Sequence, residues 1–208
     1  MENKIELALY GVRGSCATGS RDYMELGGDT SSYVIRHGDT VHFLDAGSGI
    51  RRAMIKELTP DVRNVHMHIS HGHLDHIDMG CAGPIYYNKL PEGLQVTGYR
   101  YLAEALGVLF SGKTSWPVRL GNMAGINKDM KLFQGGETLN LPGVRISTLE
   151  NYHPVDDENT TRNYGGSIAY RLDITKDNGT VVSVVYASDL EWDYLQGGKP
   201  QPESKRLR

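Results

Sequence analysis

The sequence predicts a mixed α/β protein in which strands and a few interposed helices pack in layers. Short β-branched or apolar runs recur along the chain between glycine-rich turns, whereas only two segments have helical spacing. The 208 residues include 25 glycines, which favours many tight turns and loops over a helical bundle. A succession of many strands with few helices is typical of layered α/β folds.

The individual elements follow from hydrophobic periodicity and turn residues. Hairpin turns are expected at 37–39 and 177–179, where glycine stands between two strand-like runs. Helices are expected at 50–58, ending before Pro60, and at 99–110, whereas 111–136 is expected to be irregular. We predict one domain over 1–195 and a polar tail over 196–208. Strands are predicted at 4–10, 32–36, 41–44, 64–70, 137–141, 144–150, 167–174 and 180–187.

Composition argues against several classes of partner. The formal net charge is −3, so no overall attraction to long nucleic acid or to an anionic membrane is expected. No apolar stretch has the length of a membrane span, and the first ten residues do not resemble a signal peptide. Cys16 and Cys81 lack CxxC spacing, so reduced thiols in a cytoplasmic protein are expected.

The run from His71 to His76, His-Gly-His-Leu-Asp-His, is the strongest chemical motif in the chain. It follows a predicted strand and places three imidazoles and the Asp75 carboxylate within six residues. These groups suit zinc and similar divalent ions, which can generate a hydroxide nucleophile near neutral pH. The alternative is a histidine-rich surface loop that binds metal adventitiously. His66 and His68, on the preceding strand, are expected to pack beneath or beside the site.

Three further residues follow predicted strands, where a site would gather them. Asp45 could orient a metal-bound histidine by accepting its second ring proton, or it could be a helix cap or turn acid. His153 is predicted as a third imidazole ligand, with a purely structural role as the alternative. Asp189 could bridge two metal ions, or it could be a solvated turn residue.

Candidate substrate contacts are less specific. The segment 27–31 could approach a phosphate through Gly28, Thr30 and Ser31, although an ordinary turn explains it equally well. Arg13 could pair with a phosphate or simply be solvated or salt-bridged. Trp116, in the stretch 109–124 that could roof the site, could stack on a base or pack in the core.

In its order of motifs, the chain resembles the metallo-β-lactamase-fold hydrolases. An Asp after a strand, the HxHxDH run, a later His and a later Asp carry the resemblance, which covers nearly the whole chain. It implies an αββα sandwich with the metal site at one edge of its two sheets. Further segments resemble the phosphodiesterase branch: 11–15, 27–31, 45–51, Gly83-Pro84 and 116–118. That branch includes ribonuclease Z, phosphoribosyl cyclic phosphate diesterases and cyclic-nucleotide phosphodiesterases, and its members are often homodimers.

The resemblance also implies roles for the candidate residues. His71, His73 and His153 would hold one of two divalent ions, zinc or manganese. Asp75 and His76 would help to hold the other, and Asp189 would bridge them. A metal-bound hydroxide would attack phosphorus in a small cyclic nucleotide or related cyclic phosphate, and Asp75 would orient or deprotonate it.

The branch also suggests a biological setting. Some of its phage enzymes destroy cyclic-nucleotide defence signals, which suggests removal of a host-defence signal. A phage-encoded protein would then act in the host cytoplasm.

One departure from the family pattern leaves alternatives open. The family has a final metal-binding His near its C-terminus, but the last His of these 208 residues is His153. Water, Glu191 or a partner subunit could take its place, the C-terminal part could be shortened, or the protein could bind nucleotides with little turnover. Within enzymes, RNA 3′-end processing of the ribonuclease Z type is the alternative.

Overall fold

A computed structural model of the protein describes residues 4–23, 27–79, 94–111, 130–151, 153 and 166–189. In these ranges the chain forms ten strands, two α-helices and a short 3-10 turn at Arg21–Tyr23. The helices are α1, Ile50–Glu57, and α2, Leu102–Leu109. The strands are β1, Ile5–Gly11; β2, Ser32–His37; β3, Thr40–Leu44; β4, Asn64–Ile69; β5, Leu94–Tyr99; β6, Lys131–Phe133; β7, Thr138–Leu141; β8, Val144–Asn151; β9, Ser167–Thr175; and β10, Val181–Tyr186.

The strands form two sheets. The first has the order β1-β2-β3-β4-β5-β6; its β1, β2 and β3 are antiparallel, and β3 to β6 are parallel. The second is wholly antiparallel, with the order β10-β9-β8-β7. Both predicted hairpins are confirmed, and their turns contain Gly38 and Gly179 at φ values of 57° and 79°, which glycine adopts without strain.

One apolar core lies between the helices and the first sheet, and a second lies between the two sheets. In β4 the side chains alternate as predicted. Val65, Met67 and Ile69 lie in the core under the helices, and His66 and His68 face the second sheet. The helices and the sheets thus form an α/β sandwich, because each layer buries one apolar face against the next. The core under the helices includes Phe43, Ile50, Met54, Leu102 and Leu106, and the core between the sheets includes Ile35, Leu44, Ile146, Ile168 and Leu172.

The prediction for the middle of the chain was wrong in two places. Tyr99 ends strand β5 and does not begin a helix, so α2 starts at Leu102. Tyr99, Leu102 and Leu106 have helical spacing, but pairing of β5 with β4 decides the conformation of Tyr99. Strand β6 lies in the stretch expected to be irregular, and its three residues are too short for a periodicity to appear.

Some expectations lie outside the described residues: the Gly83-Pro84 and 116–118 segments, Cys81, Glu191 and the tail at 196–208. Neither helix of the described ranges is long and apolar enough to cross a membrane.

The topology brings four strand ends to one edge of the sandwich. Strands β3 and β4 are parallel neighbours, so Asp45 and the His71–His76 run leave the first sheet side by side. In the second sheet β8 and β10 flank β9 and run opposite to it, so His153 and Asp189 leave at one common edge. A hydrogen bond from Ile168 N to Ser70 O (2.9 Å) joins the two edges.

Candidate metal centre

Three imidazoles converge at this edge. His73 Nδ1 lies 3.0 Å from His71 Nε2 and 3.1 Å from His153 Nε2. Asp189 Oδ2 completes the group at 3.4 Å from His71 Nε2 and 3.5 Å from His153 Nε2. One ligand atom from each of the four residues lies within 4.8 Å of all the others, so the structure brings these predicted residues together.

A second group adjoins the first. His76 Nε2 lies 3.4 Å from Asp75 Oδ2 and 3.4 Å from Asp189 Oδ2. Ser15 N donates a hydrogen bond to the same Asp75 oxygen, Oδ2 (2.7 Å), which fixes the carboxylate. Asp189 Oδ2 therefore belongs to both groups, which is the position that a bridging ligand requires.

Asp45 orients histidines in both groups. His76 Nδ1 donates to Asp45 Oδ2 at 2.6 Å, which leaves His76 Nε2 directed at Asp75 and Asp189. Ser70 Oγ donates to the same oxygen (2.9 Å) and can accept from His71 Nδ1 (2.9 Å), which leaves the lone pair of His71 Nε2 for the centre. Helix α1 is capped by Gly49 without a side-chain bond, so Asp45 is not its cap.

The buried carboxylate of Asp45 is satisfied by several donors. Its side chain is fully buried, and such a charge is tolerated only when it is hydrogen-bonded or paired. Ser70 N donates to Oδ1 at 2.6 Å, and Tyr186 Oη donates to Oδ2 at 2.5 Å, in addition to the bonds from Ser70 Oγ and His76. These bonds hold the carboxylate in one orientation.

The ionisation of the first group suits a cation. Burial lowers the pKa of His71 to about 3, and burial together with His153 lowers the pKa of His73. Both imidazoles are therefore neutral at pH 7, as ligands must be.

The second group attracts positive charge. Burial by itself lowers the pKa of His76, but the carboxylates of Asp189, Asp45 and Asp75 outweigh it and raise this pKa to about 12. In turn, the hydrogen bond from His76 lowers the pKa of Asp189 to about 2 and also lowers the pKa of Asp75. The same carboxylates that stabilise the protonated imidazole of His76 would also stabilise a metal cation.

The donor set and its spacing fit divalent metal ions. Ligand nitrogens at about 2.0–2.1 Å from a tetrahedral zinc ion are about 3.4 Å apart. Four of the six separations between ligand atoms in the first group are 3.0, 3.1, 3.4 and 3.5 Å, close to that value, and all six are within 4.8 Å. The residues therefore fit one ion between the three imidazoles and Asp189, and the second group offers an imidazole and two carboxylates to another.

Backbone strain is concentrated at the same place. Among the described residues, the non-glycine residues with positive φ are Ser15 (66°), Asp45 (58°) and Asp189 (50°). Asp189 belongs to both groups, and Ser15 and Asp45 each bond to a member of the second group. Each such conformation costs roughly 1–3 kcal/mol. The surrounding contacts hold these strained residues in place, as is common at functional sites.

The predicted substrate contacts occupy structural positions. Thr30 is buried and accepts from Ser48 N at 2.8 Å, and Ser31 is buried beside Tyr186. A Cβ on Gly28 would lie 1.6 Å from Thr18 O, so this glycine is required for close backbone packing. Arg13 Nε donates to Cys16 O (2.8 Å), and its guanidinium lies over the Tyr23 ring. A contact between substrate and these residues remains a prediction.

Three residues with a part in the site have no motif of their own. Ser70 and Tyr186 bond to Asp45, and the Asn151 amide contacts Ser188 O and Asp189 O, both at 3.4 Å. Each is near the end of a strand that leads to a predicted site residue, and this position is the one signal that could have identified them.

Comparison with known proteins supports the fold. The sequence matches no protein-family model, and it has no significant match among curated proteins. Among solved structures, the metallo-beta-lactamase fold protein YhfI from Bacillus subtilis superposes with a TM-score of 0.59 at 18% sequence identity, covering 90% of this chain and 63% of YhfI.

Two further structures are similar over the same extent. The short form of human tRNase Z has a TM-score of 0.56 at 15% identity, covering 90% of this chain and 71% of that protein. Unliganded yeast PDE1 has a TM-score of 0.55 at 13% identity, covering 89% of this chain and 65% of PDE1. The chain thus spans less than two thirds of the length of YhfI and of PDE1. It has the metallo-β-lactamase fold.

Proposed function

We propose that this protein, a chain with the metallo-β-lactamase fold, is a metal-dependent phosphodiesterase that hydrolyses a small cyclic nucleotide or related cyclic phosphate. The observation that carries the proposal is the pair of adjoining ligand groups that share Asp189 Oδ2. Paired metal sites of this kind suit displacement at phosphorus, because the attacking and the leaving oxygens both need charge stabilisation.

The two groups would hold two divalent ions, zinc or manganese. His71, His73 and His153 would hold one, Asp75 and His76 would hold the other, and Asp189 would lie between them. When bound, such ions supply a hydroxide nucleophile near neutral pH and neutralise charge on phosphoryl oxygens.

The protein residues supply orientation. Asp75 lies at the rim of the centre, where Ser15 N and His76 fix its carboxylate. From there Asp75, which its lowered pKa keeps ionised, would accept a hydrogen bond from the attacking water and orient it. Asp45 would hold His71 and His76 in the tautomers that direct Nε2 at the centre.

The charge of the protein supports a small substrate. A net charge of −3 gives no general attraction for an RNA backbone, which carries a charge at every nucleotide. Similar structures include one named tRNase Z and one named PDE1, so both an RNA and a small phosphodiester are candidate substrates. The net charge of the protein favours the small phosphodiester.

Turnover of a panel of 3′,5′- and 2′,3′-cyclic purine and pyrimidine nucleotides tests the proposal. The zinc- or manganese-loaded protein should open at least one of these rings, as followed by chromatography. Asp75→Ala should lower the rate by about 100-fold or more, because it removes both a metal ligand and the carboxylate that orients the water.

The control is Asp22→Ala, which removes an exposed carboxylate of the 3-10 turn and should leave turnover unchanged. Cleavage of a precursor tRNA but of no cyclic nucleotide would contradict the substrate class. Equal turnover by the parent and by Asp75→Ala would contradict the mechanism.

A further inference from the structure

We propose that Tyr186 is a positioning residue of the centre: its hydroxyl orients the Asp45 carboxylate, and Asp45 in turn orients His76 toward the second metal ion. The inference rests on the proposed metal centre, because orienting His76 matters only if His76 binds a metal ion. Neither a motif nor a position next to a ligand marks this residue, which ends strand β10 of the second sheet.

The contacts of the Tyr186 hydroxyl define the direction of the relay. Tyr186 Oη donates its one hydrogen to Asp45 Oδ2 at 2.5 Å. In the shorter of its two contacts, at 2.8 Å, Ser31 Oγ is then the donor to Tyr186 Oη; its other contact is with Asp45 Oδ2 at 3.4 Å. Hydrogen bonds therefore run from Ser31 to Tyr186 and on to Asp45, the acceptor for His76 Nδ1.

The Tyr186 bond acts on the oxygen that matters for His76. Ser70 N holds Asp45 Oδ1 at 2.6 Å, whereas Oδ2 accepts from Tyr186, from His76 and from Ser70 Oγ (2.9 Å). Loss of the Tyr186 hydroxyl would remove one of the donors that hold Oδ2. His76 bonds to this oxygen directly, whereas His71 is connected to it only through Ser70 Oγ. The effect should therefore fall on the ion held by His76 more than on the ion held by His71, His73 and His153.

Packing keeps the tyrosine in place independently of its hydroxyl. Its ring lies 5.3 Å from the ring of Tyr33, centroid to centroid, and lines the core between the sheets. Burial and the Asp45 carboxylate raise the pKa of Tyr186, so the hydroxyl stays a donor. Tyr186→Phe should therefore remove the hydrogen bond while the ring keeps its position.

The neighbouring strand offers a matched control. Tyr170 pairs directly with Tyr186 in the ladder of β9 and β10, and its hydroxyl donates to Ile69 O at 2.8 Å. Tyr170→Phe also removes one buried hydroxyl from the same sheet, but that hydroxyl bonds to the backbone and not to Asp45. A general loss of stability would affect both variants alike.

Titration of the metal-free protein with Co²⁺, followed by absorption and calorimetry, tests the inference. In Tyr186→Phe the second ion should bind roughly 10-fold more weakly or worse, as is usual when the partner of a ligand is lost, while the affinity for the first ion changes by less than about twofold. Tyr170→Phe should bind both ions like the parent. Ser31→Ala, one step further along the relay, should weaken the second ion in the same direction and keeps the test available if Tyr186→Phe does not fold.

A double variant separates a positioning role of Tyr186 from a purely structural one. In His76→Ala, addition of Tyr186→Phe should leave Co²⁺ affinity unchanged, because the residue through which Tyr186 acts is gone. Equal second-ion affinity in Tyr186→Phe and Tyr170→Phe would overturn the positioning role while leaving the proposed function intact. Binding of fewer than two ions by the parent would instead overturn the proposed centre, and the role of Tyr186 with it.

Discussion

Asp45→Asn should destabilise the protein by about 3–5 kcal/mol and weaken metal binding by roughly 10- to 100-fold. Asp45 is fully buried and accepts from Ser70 N, Ser70 Oγ, His76 Nδ1 and Tyr186 Oη. An asparagine has one acceptor oxygen and adds two N–H donors, so several of these donors would lose their partner inside the protein. The same change frees both His76 and, through Ser70, His71.

Urea denaturation at pH 7 measures the first effect, and Zn²⁺ competition with a chelating dye measures the second. The matched control is Asp61→Asn, which removes the charge of an exposed carboxylate paired with Arg36 at 2.6 Å. Exposed pairs contribute at most about 1 kcal/mol, so that variant should behave like the parent. An Asp45→Asn protein within about 1 kcal/mol of the parent, with unchanged Zn²⁺ affinity, would show that Asp45 does not support the centre.

The second large effect concerns acid stability and involves histidines that belong to neither ligand group. A ladder of imidazoles, defined as His37, His42, His66 and His68, lines the inner face of the first sheet. The ring of His42 stacks on those of His37, His66 and His68 at centroid distances of 5.3, 4.9 and 5.2 Å. His42 and His68 are fully buried.

The hydrogen bonds of the ladder require neutral rings. Thr97 Oγ1 donates its hydrogen to Met67 O (3.5 Å), so it accepts from His68 Nδ1 (2.7 Å). His68 Nε2 is then left to accept from His42 Nδ1 (3.0 Å). His42 Nε2 then accepts from His37 Nε2 at 3.2 Å. A proton added to His42 or His68 would place two N–H groups face to face. Burial, aided by the neighbouring imidazoles, lowers the pKa of His68 to about 3 and that of His42 well below its usual value.

These lowered pKa values predict the pH dependence of unfolding. Below pH 6.5 the unfolded chain takes up protons at these histidines, while the folded protein does not until the pH approaches about 3 for His68. Stability is therefore fully present above pH 6.5 and is lost as the pH falls. Each buried histidine costs about 1.4 kcal/mol per pH unit in this window, so His42 and His68 together should cost about 4 kcal/mol between pH 6.5 and pH 5.

Urea denaturation of the metal-free protein at pH 7 and pH 5 tests the pH prediction. The double variant His42→Gln with His68→Gln should lose about 4 kcal/mol less than the parent on this acidification, whatever its stability at pH 7. A single His66→Gln variant serves as the control, because His66 is only half-buried, and it should retain most of the parent's loss. Equal losses in the parent and in the double variant would contradict the assignment of acid sensitivity to the ladder.

Local sequence patterns were enough to predict much of the fold. Period-two alternation located β4, and Gly38 and Gly179 marked the two hairpins, because both signals lie within a few residues of chain. Strands β5 and β6 were not predictable in this way. The helical spacing of Tyr99 competes with its strand pairing, and β6 gains its structure from pairing with β5 over only three residues.

For the site, the sequence predicted which residues follow the strands, but it did not predict the hydrogen bonds that connect those residues. The HxHxDH run, His153 and Asp189 were predictable because each follows a strand or carries a ligand spacing. The links through Ser70 and Tyr186 depend on which side chains meet Asp45 across two sheets, and no local pattern records such long-range contacts. Thr30 and Ser31 resembled a phosphate loop, but their hydroxyls bond within the protein.

The metal content of the protein tests the central claim most directly. After loading with Zn²⁺ or Mn²⁺ and removal of free ions, elemental analysis should find two ions per chain in the parent. His73→Ala, which removes the imidazole at the middle of the first group, should lower that number. A count of one or none in the parent would contradict the account of two adjoining groups that share Asp189.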